Sequence, residues 1–223
     1  MSTMPLEIAG PIGPLEALLD EPAAGRTVSA DGLVHTVPDN GLRAAVVLAH
    51  PHTAYGGTMH TKVIYQAAKA LSRIGCAVLR LNFRGAGRST GAFDGGPGEM
   101  DDFRAALDFV HHRYPAARLW AGGMSFGAWV AMTVGAEDPR VSTLIGICPP
   151  LARHSFDTVR TSEKPKFFIQ GERDELCPLK DMRAFYAQAA EPKELVVIDG
   201  ADHLFDGKVT EVAEAIEDLL GDW

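Results

Sequence analysis

From residue 44 onward, short runs that are apolar at every position alternate with longer stretches whose apolar residues recur every three or four positions. Ala44-Ala45-Val46-Val47-Leu48-Ala49, closed by His50-Pro51, predicts a strand buried on both faces. Between 60 and 74, Val63, Ile64, Ala67, Ala70 and Leu71 fall on one helical stripe that Gly75 ends. The alternation continues with strands over 77–82, 118–122, 141–148, 166–170 and 194–198, and helices over 101–112, 126–136, 179–190 and 209–220. The segment from 83 to Gly98 reads as a long glycine-rich loop, and its part from Ala92 to Gly98 as unable to begin a helix. This rhythm predicts an α/β fold, a mostly parallel twisted sheet with helices on both faces. Residues 1–43 break it, with Pro or Gly at 5, 10, 11, 13 and 14, and predict antiparallel strands at the sheet edge. The whole of 1–223 thus reads as one domain, with edge strands over 1–43, a core over 44–220 and no sizeable cap.

Composition narrows the functional classes. The chain has 223 residues, of which 46% are hydrophobic and 22% charged, enough for a core without disulfide or metal staples. Its formal charge of −8 argues against a nucleic-acid or anionic-membrane surface, because both are held mainly by Lys and Arg. No apolar run is long enough to cross a bilayer, and Met1-Ser2-Thr3-Met4-Pro5 lacks the basic start of a signal peptide. Cys76, Cys148 and Cys177 are an odd number without a Cys-x-x-Cys pair, the usage of reduced thiols in a cytoplasmic protein. Nothing indicates an oligomer.

In parallel sheets, ligands bind beyond the carboxyl ends of the strands, so the residues that follow each strand carry the most information. Two Gly-x-Ser-x-Gly patterns occur. Gly87-Arg88-Ser89-Thr90-Gly91 lies several residues past its strand and runs on into glycines, whereas Gly123-Met124-Ser125-Phe126-Gly127 joins a strand directly to an apolar helix. A nucleophilic serine requires that strand–turn–helix setting, which favours Ser125. A serine hydroxyl needs a base and an orienting acid. His203, after strand 194–198, supplies the base. Asp174, after strand 166–170, supplies the acid, with Glu172 and Glu175 as rivals, while Asp202, adjacent to His203, would point elsewhere. The order Ser125, Asp174, His203 is the one this kind of elbow uses. His50 and His52 spell His-x-His, but no third ligand is spaced near them, so loop architecture rather than a metal is expected. Gly85, Gly87 and Gly91 lack dinucleotide-binding spacing, and no cofactor is expected. Arg84 and Arg88 read as solvated loop charges, with attraction of an anionic substrate as the alternative.

The elbow at 123–127, Gly171-x-x-Asp174-x-x-x-Pro178, Gly200-Ala201-Asp202-His203 and Arg84-Gly85-x-Gly87-x-Ser89 together resemble the α/β-hydrolase superfamily over residues 44–220. His50-Pro51-His52, Gly56-Gly57-Thr58-Met59 and Phe93-Asp94 are more narrowly similar to small, lidless bacterial serine esterase-like hydrolases. The resemblance implies a structural role for Ser89. It also implies an oxyanion hole from the backbone N–H groups of Phe126 and His52, with Thr53 as a substitute for His52. The implied activity is hydrolysis of a small carboxylic ester through an acyl-enzyme on Ser125. Thioesterase, peptidase and acyltransferase use the same residues, and a non-catalytic scaffold is the reading from another class. The expected partner is a small acyl substrate held in an open site, with neither nucleic acid nor membrane involved.

Overall fold

Six consecutive buried residues, Ala44–Ala49, form the central strand β5 of a computed structural model that describes residues 2–22, 26–28, 34–36 and 42–223. Eight strands lie in the order β1-β2-β6-β5-β7-β8-β9-β10. β5, β6 (Ala77–Leu81), β7 (Arg118–Met124), β8 (Val141–Ile147), β9 (Lys166–Gly171) and β10 (Lys193–Ile198) run parallel. β1 (Ser2–Gly10) and β2 (Gly13–Glu21) make a hairpin, and β2 joins β6 antiparallel. The expected edge strands are therefore present over 2–21. β3 (Arg26–Val28) and β4 (Val34–Thr36) instead pair only with each other, in a separate two-stranded sheet. Residues 1, 23–25, 29–33 and 37–41 lie outside the described residues.

Helices cover both faces. α1 (Lys62–Arg73) and α6 (Val209–Leu220) seal one face with Ile64, Ala67, Leu71, Val212, Ile216 and Leu220. α2 (Pro97–Arg113) and α3 (Phe126–Glu137) cover the other with Phe103, Leu107, Val130 and Val134. α4 (Asp157–Thr161) and α5 (Leu179–Gln188) extend that second layer through Val159 and Met182. α4 is too short to leave a periodic pattern, and it is the one helix between β8 and β9, where no cap domain intervenes. Among the described residues, no helix is long and apolar enough to cross a membrane.

One boundary corrects the sequence reading. The glycine-rich segment leads straight into α2, which begins at Pro97 rather than at 101. Pro at the first helical position needs no N–H partner. Glu99 accepts hydrogen bonds from the Gly96 and Asp94 N–H groups (2.7 and 2.8 Å), which closes the helix start despite the glycines.

Candidate active site

β7 ends in a turn with no room for side chains on either side of Ser125. A Cβ on Gly123 would stand 2.4 Å from the Gly127 carbonyl oxygen, and one on Gly127 would stand 2.3 Å from that of His50. Ser125 itself takes φ 53° and ψ −122°, a conformation L-residues rarely adopt. Its N–H donates to Ile147 O (2.8 Å), tying the turn to the end of β8.

The three residues expected to act together lie on three loops, and the fold joins them. His203 Nε2 is 3.0 Å from Ser125 Oγ, and His203 Nδ1 is 2.8 Å from Asp174 Oδ2. With the His203 proton on Nδ1, the ring donates to the carboxylate and Nε2 accepts from the serine hydroxyl. Asp174 Oδ1 accepts from the Leu176 and Cys177 N–H groups at 2.9 and 2.8 Å. Burial alone pushes the Asp174 carboxyl up. The bonds from His203 and the Cys177 N–H, with the nearby Cys148 thiol acting in the same direction, outweigh it and hold the group below the ordinary carboxylate range.

The neighbouring acids are engaged elsewhere. Glu172 accepts from the Gly200 N–H (2.7 Å), and Asp202 accepts from the N–H groups of Leu204 and Asp206. Glu175 is exposed. Ser89 is buried, donates to Asn82 O (2.6 Å) and accepts from the Glu16 N–H (2.9 Å), so its hydroxyl fixes the loop after β6.

After β5, residues 50–57 fold back on themselves, with the His52 carbonyl accepting from the Tyr55 and Gly57 N–H groups, both at 3.1 Å. The His52 and Phe126 rings stand 5.1 Å apart, so the two residues are neighbours through their side chains. Among the described residues, neither backbone N–H finds a protein acceptor. Thr53 opens a short 3-10 turn, and its buried hydroxyl has no hydrogen-bond partner. His50 is fully buried. Its Nε2 accepts from the Phe83 N–H, its Nδ1 faces Pro51 O at 2.5 Å, and burial lowers its pKa to about 4. It is a neutral structural residue.

Arg84 departs from the expectation of a solvated loop charge. It is buried, with Nε and Nη2 on the two oxygens of Asp102 at 3.0 and 2.7 Å. It ties the loop after β6 to α2, and its charge is matched within the protein. Arg88 is exposed and pairs with Glu16 at 3.2 Å.

Cys148 and Gln170, not singled out in the sequence, both reach Asp174. Gln170 Nε2 lies 3.3 Å from Oδ2, and the Cys148 thiol, just past the end of β8, lies beside the carboxylate. No spacing announces either contact, because both follow from strand register. Cys148 Sγ, an Asp174 oxygen and a His203 nitrogen lie within 4.8 Å of one another. A soft metal ion there would take the atoms that now form the Asp174–His203 hydrogen bond.

A family model described as an alpha/beta hydrolase domain matches residues 42–219. An uncharacterised protein of Rickettsia prowazekii is 38% identical over 185 residues, 79% of this chain and 77% of that protein. The solved structure of an alpha-beta serine hydrolase homologue from Coxiella burnetii is 33% identical. It superposes with a TM-score of 0.87 over 99% of this chain and 98% of the other. An α/β serine hydrolase without lid from Xanthomonas campestris, 32% identical, gives the same TM-score over 100% and 95% of the two chains. With the family matched across the whole parallel sheet and its two antiparallel strands superposed as well, this chain belongs to the α/β hydrolase family.

Proposed function

We propose that the protein hydrolyses a small carboxylic ester through an acyl-enzyme on Ser125. The unbroken chain of hydrogen bonds from Ser125 Oγ through His203 to Asp174, at 3.0 and 2.8 Å, carries this reading. Asp174 keeps the Nδ1–H tautomer, which leaves Nε2 free to take the serine proton as Oγ attacks the carbonyl carbon. The C–O bond to the alcohol then breaks, and His203 returns the proton to the leaving oxygen. Water, activated by the same imidazole, hydrolyses the acyl-enzyme in reverse order. The N–H groups of Phe126 and His52 receive the tetrahedral oxyanion, and one such donor is worth about 10²–10³ in rate.

The test is covalent labelling with a fluorophosphonate followed by peptide mapping. Labelling is expected on Ser125, absent in Ser125→Ala and slowed by about 10³-fold or more in His203→Ala. A probe that leaves wild-type Ser125 unmodified at neutral pH would mark the protein as a non-catalytic scaffold. Ethyl esters, acyl-CoA thioesters and aminoacyl amides assayed side by side then separate esterase from thioesterase and peptidase. The ester is expected to turn over with the highest kcat/KM.

A further inference from the structure

Six rings from three loops and the first turn of α3 meet beside the Ser125 turn. His52 and Tyr55 follow β5, Phe93 follows β6, Phe126 and Trp129 open α3, and His154 follows β8. His52 lies 4.3 Å from Phe93, 4.9 Å from Tyr55 and 5.1 Å from Phe126. Phe126 lies 5.6 Å from Trp129, and Trp129 stacks on His154 at 3.9 Å with 15° between the planes. Phe126 is buried. His52, Phe93, Trp129 and His154 are half-buried and Tyr55 is exposed, so the group offers ring surface to solvent.

The arrangement is built rather than incidental. The indole Nε1–H donates to Ser155 O (3.2 Å), which sets the Trp129 ring plane. A Cβ on Gly96 would stand 2.4 Å from that ring, so the residue before α2 yields its side chain to Trp129. The His52 ring is turned by accepting the Ala54 N–H on Nδ1 (3.1 Å). Burial lowers the pKa of both His52 and His154, with Arg153 acting on both in the same direction and the His52 ring adding to the effect on His154. Both rings are thereby favoured in the neutral form, which suits an apolar lining.

Direction follows from the chemistry. His203 must reach the leaving oxygen, and it arrives from the loop after β10, with Asp174 after β9. Phe93, His52 and Tyr55 follow β6 and β5, on the side of β7 away from the base, while Phe126 and Trp129 follow β7 itself and His154 follows β8, between β7 and the acid. Across the ester carbonyl, the acyl group points away from the leaving group. Two of the six rings, His52 and Phe126, also belong to the residues whose N–H groups would hold the carbonyl oxygen.

We propose that this ring-lined surface is the acyl subsite and that it selects planar aromatic acyl groups over saturated ones of equal size. The proposal rests on the acyl-enzyme reading above and adds a substrate class to it. Ring–ring contacts prefer edge-to-face and offset geometries that a saturated ring cannot reproduce.

Ethyl phenylacetate and ethyl cyclohexylacetate test it, because they share a leaving group and nearly the same carbonyl environment and differ in the ring. An alkyl alcohol keeps any aromatic leaving group out of the subsite. The kcat/KM ratio, phenyl over cyclohexyl, is expected at about 3- to 10-fold, the range of one or two such contacts. It is expected to fall towards unity in His154→Leu and Trp129→Leu. His154 is on a loop, so its variant serves if Trp129→Leu fails to fold. A ratio of unity or below in the wild type overturns the proposal, as does a ratio that both variants leave unchanged, or no turnover of either ester by protein that the fluorophosphonate labels. In each of these cases labelling of Ser125 keeps the serine-hydrolase reading intact. Absence of labelling removes that reading, and the proposal with it.

Discussion

Ser125 sits at φ 53° and ψ −122°, where a side chain is strained and glycine is not. Such a backbone conformation costs about 1–3 kcal/mol, partly offset in a glycine variant by its more flexible unfolded chain. Ser125→Gly is therefore expected to unfold at higher urea than Ser125→Ala by about 1 kcal/mol, although both lose turnover. His50 gives a pH prediction. Burial lowers its pKa from 6.5 to about 4, so between those values the unfolded chain takes up a proton that the folded protein refuses. Its contribution is intact above pH 6.5 and is lost as pH falls towards 4. Urea titrations at pH 7 and 4.5 should show wild type losing roughly 2–3 kcal/mol more than His50→Asn, whose amide does not titrate in this range. Ser125, Asp174 and His203 stood out in the sequence because each follows a different strand and is of a type the chemistry requires. Cys148 and His154 did not, since a thiol at a strand end and a histidine in a loop acquire meaning only from neighbours far away in the chain.

Arg84 and Asp102 join the loop after β6 to α2, with the carboxylate fully buried and also accepting the Arg84 N–H at 2.9 Å. Removing the acid leaves a guanidinium with little water and no ion-pair partner in contact, with Glu99 and Asp94 acting on it only through space. Asp102→Ala is expected to cost about 3–5 kcal/mol in urea unfolding. Asp108→Ala, which removes an exposed partner of Arg140, should cost under about 1 kcal/mol. The parallel strands were legible where burial on both faces leaves an unbroken apolar run, as Ala44–Ala49 illustrates. The start of α2 was hidden because Gly95 and Gly96 argue against a helix while the Glu99 side chain, three residues on, makes one possible. Which early strands enter the main sheet was equally hidden. β2 is fixed by β6, through pairs such as Leu19 with Leu79, and no local pattern carries a contact 60 residues long.

At the scale of the whole molecule, the connection from β8 to β9 holds one short helix, and among the described residues no separate layer stands over Ser125. Enzymes that open at an oil–water interface need such a layer to move. Here the rate is expected to follow dissolved ester alone, with no upward jump as a sparingly soluble ester passes its solubility limit, judged by turbidity and pH-stat together. The strand order also places Asp174 and His203 after the last two strands, with β10 at the open edge and only partly buried. Their loops are laced together by Glu172 N–H to Ile198 O (3.0 Å) and Arg173 N–H to Ala201 O (2.8 Å). Asp174 and His203, the proposed acid and base, thus form one small unit hung from the rim, while Ser125 is anchored at the centre. Edge segments open at lower free energy than central ones. Warming is therefore expected to silence turnover reversibly while amides of β5 and β7 remain protected from exchange, because the catalyst can lose its grip on the proton before it loses its shape.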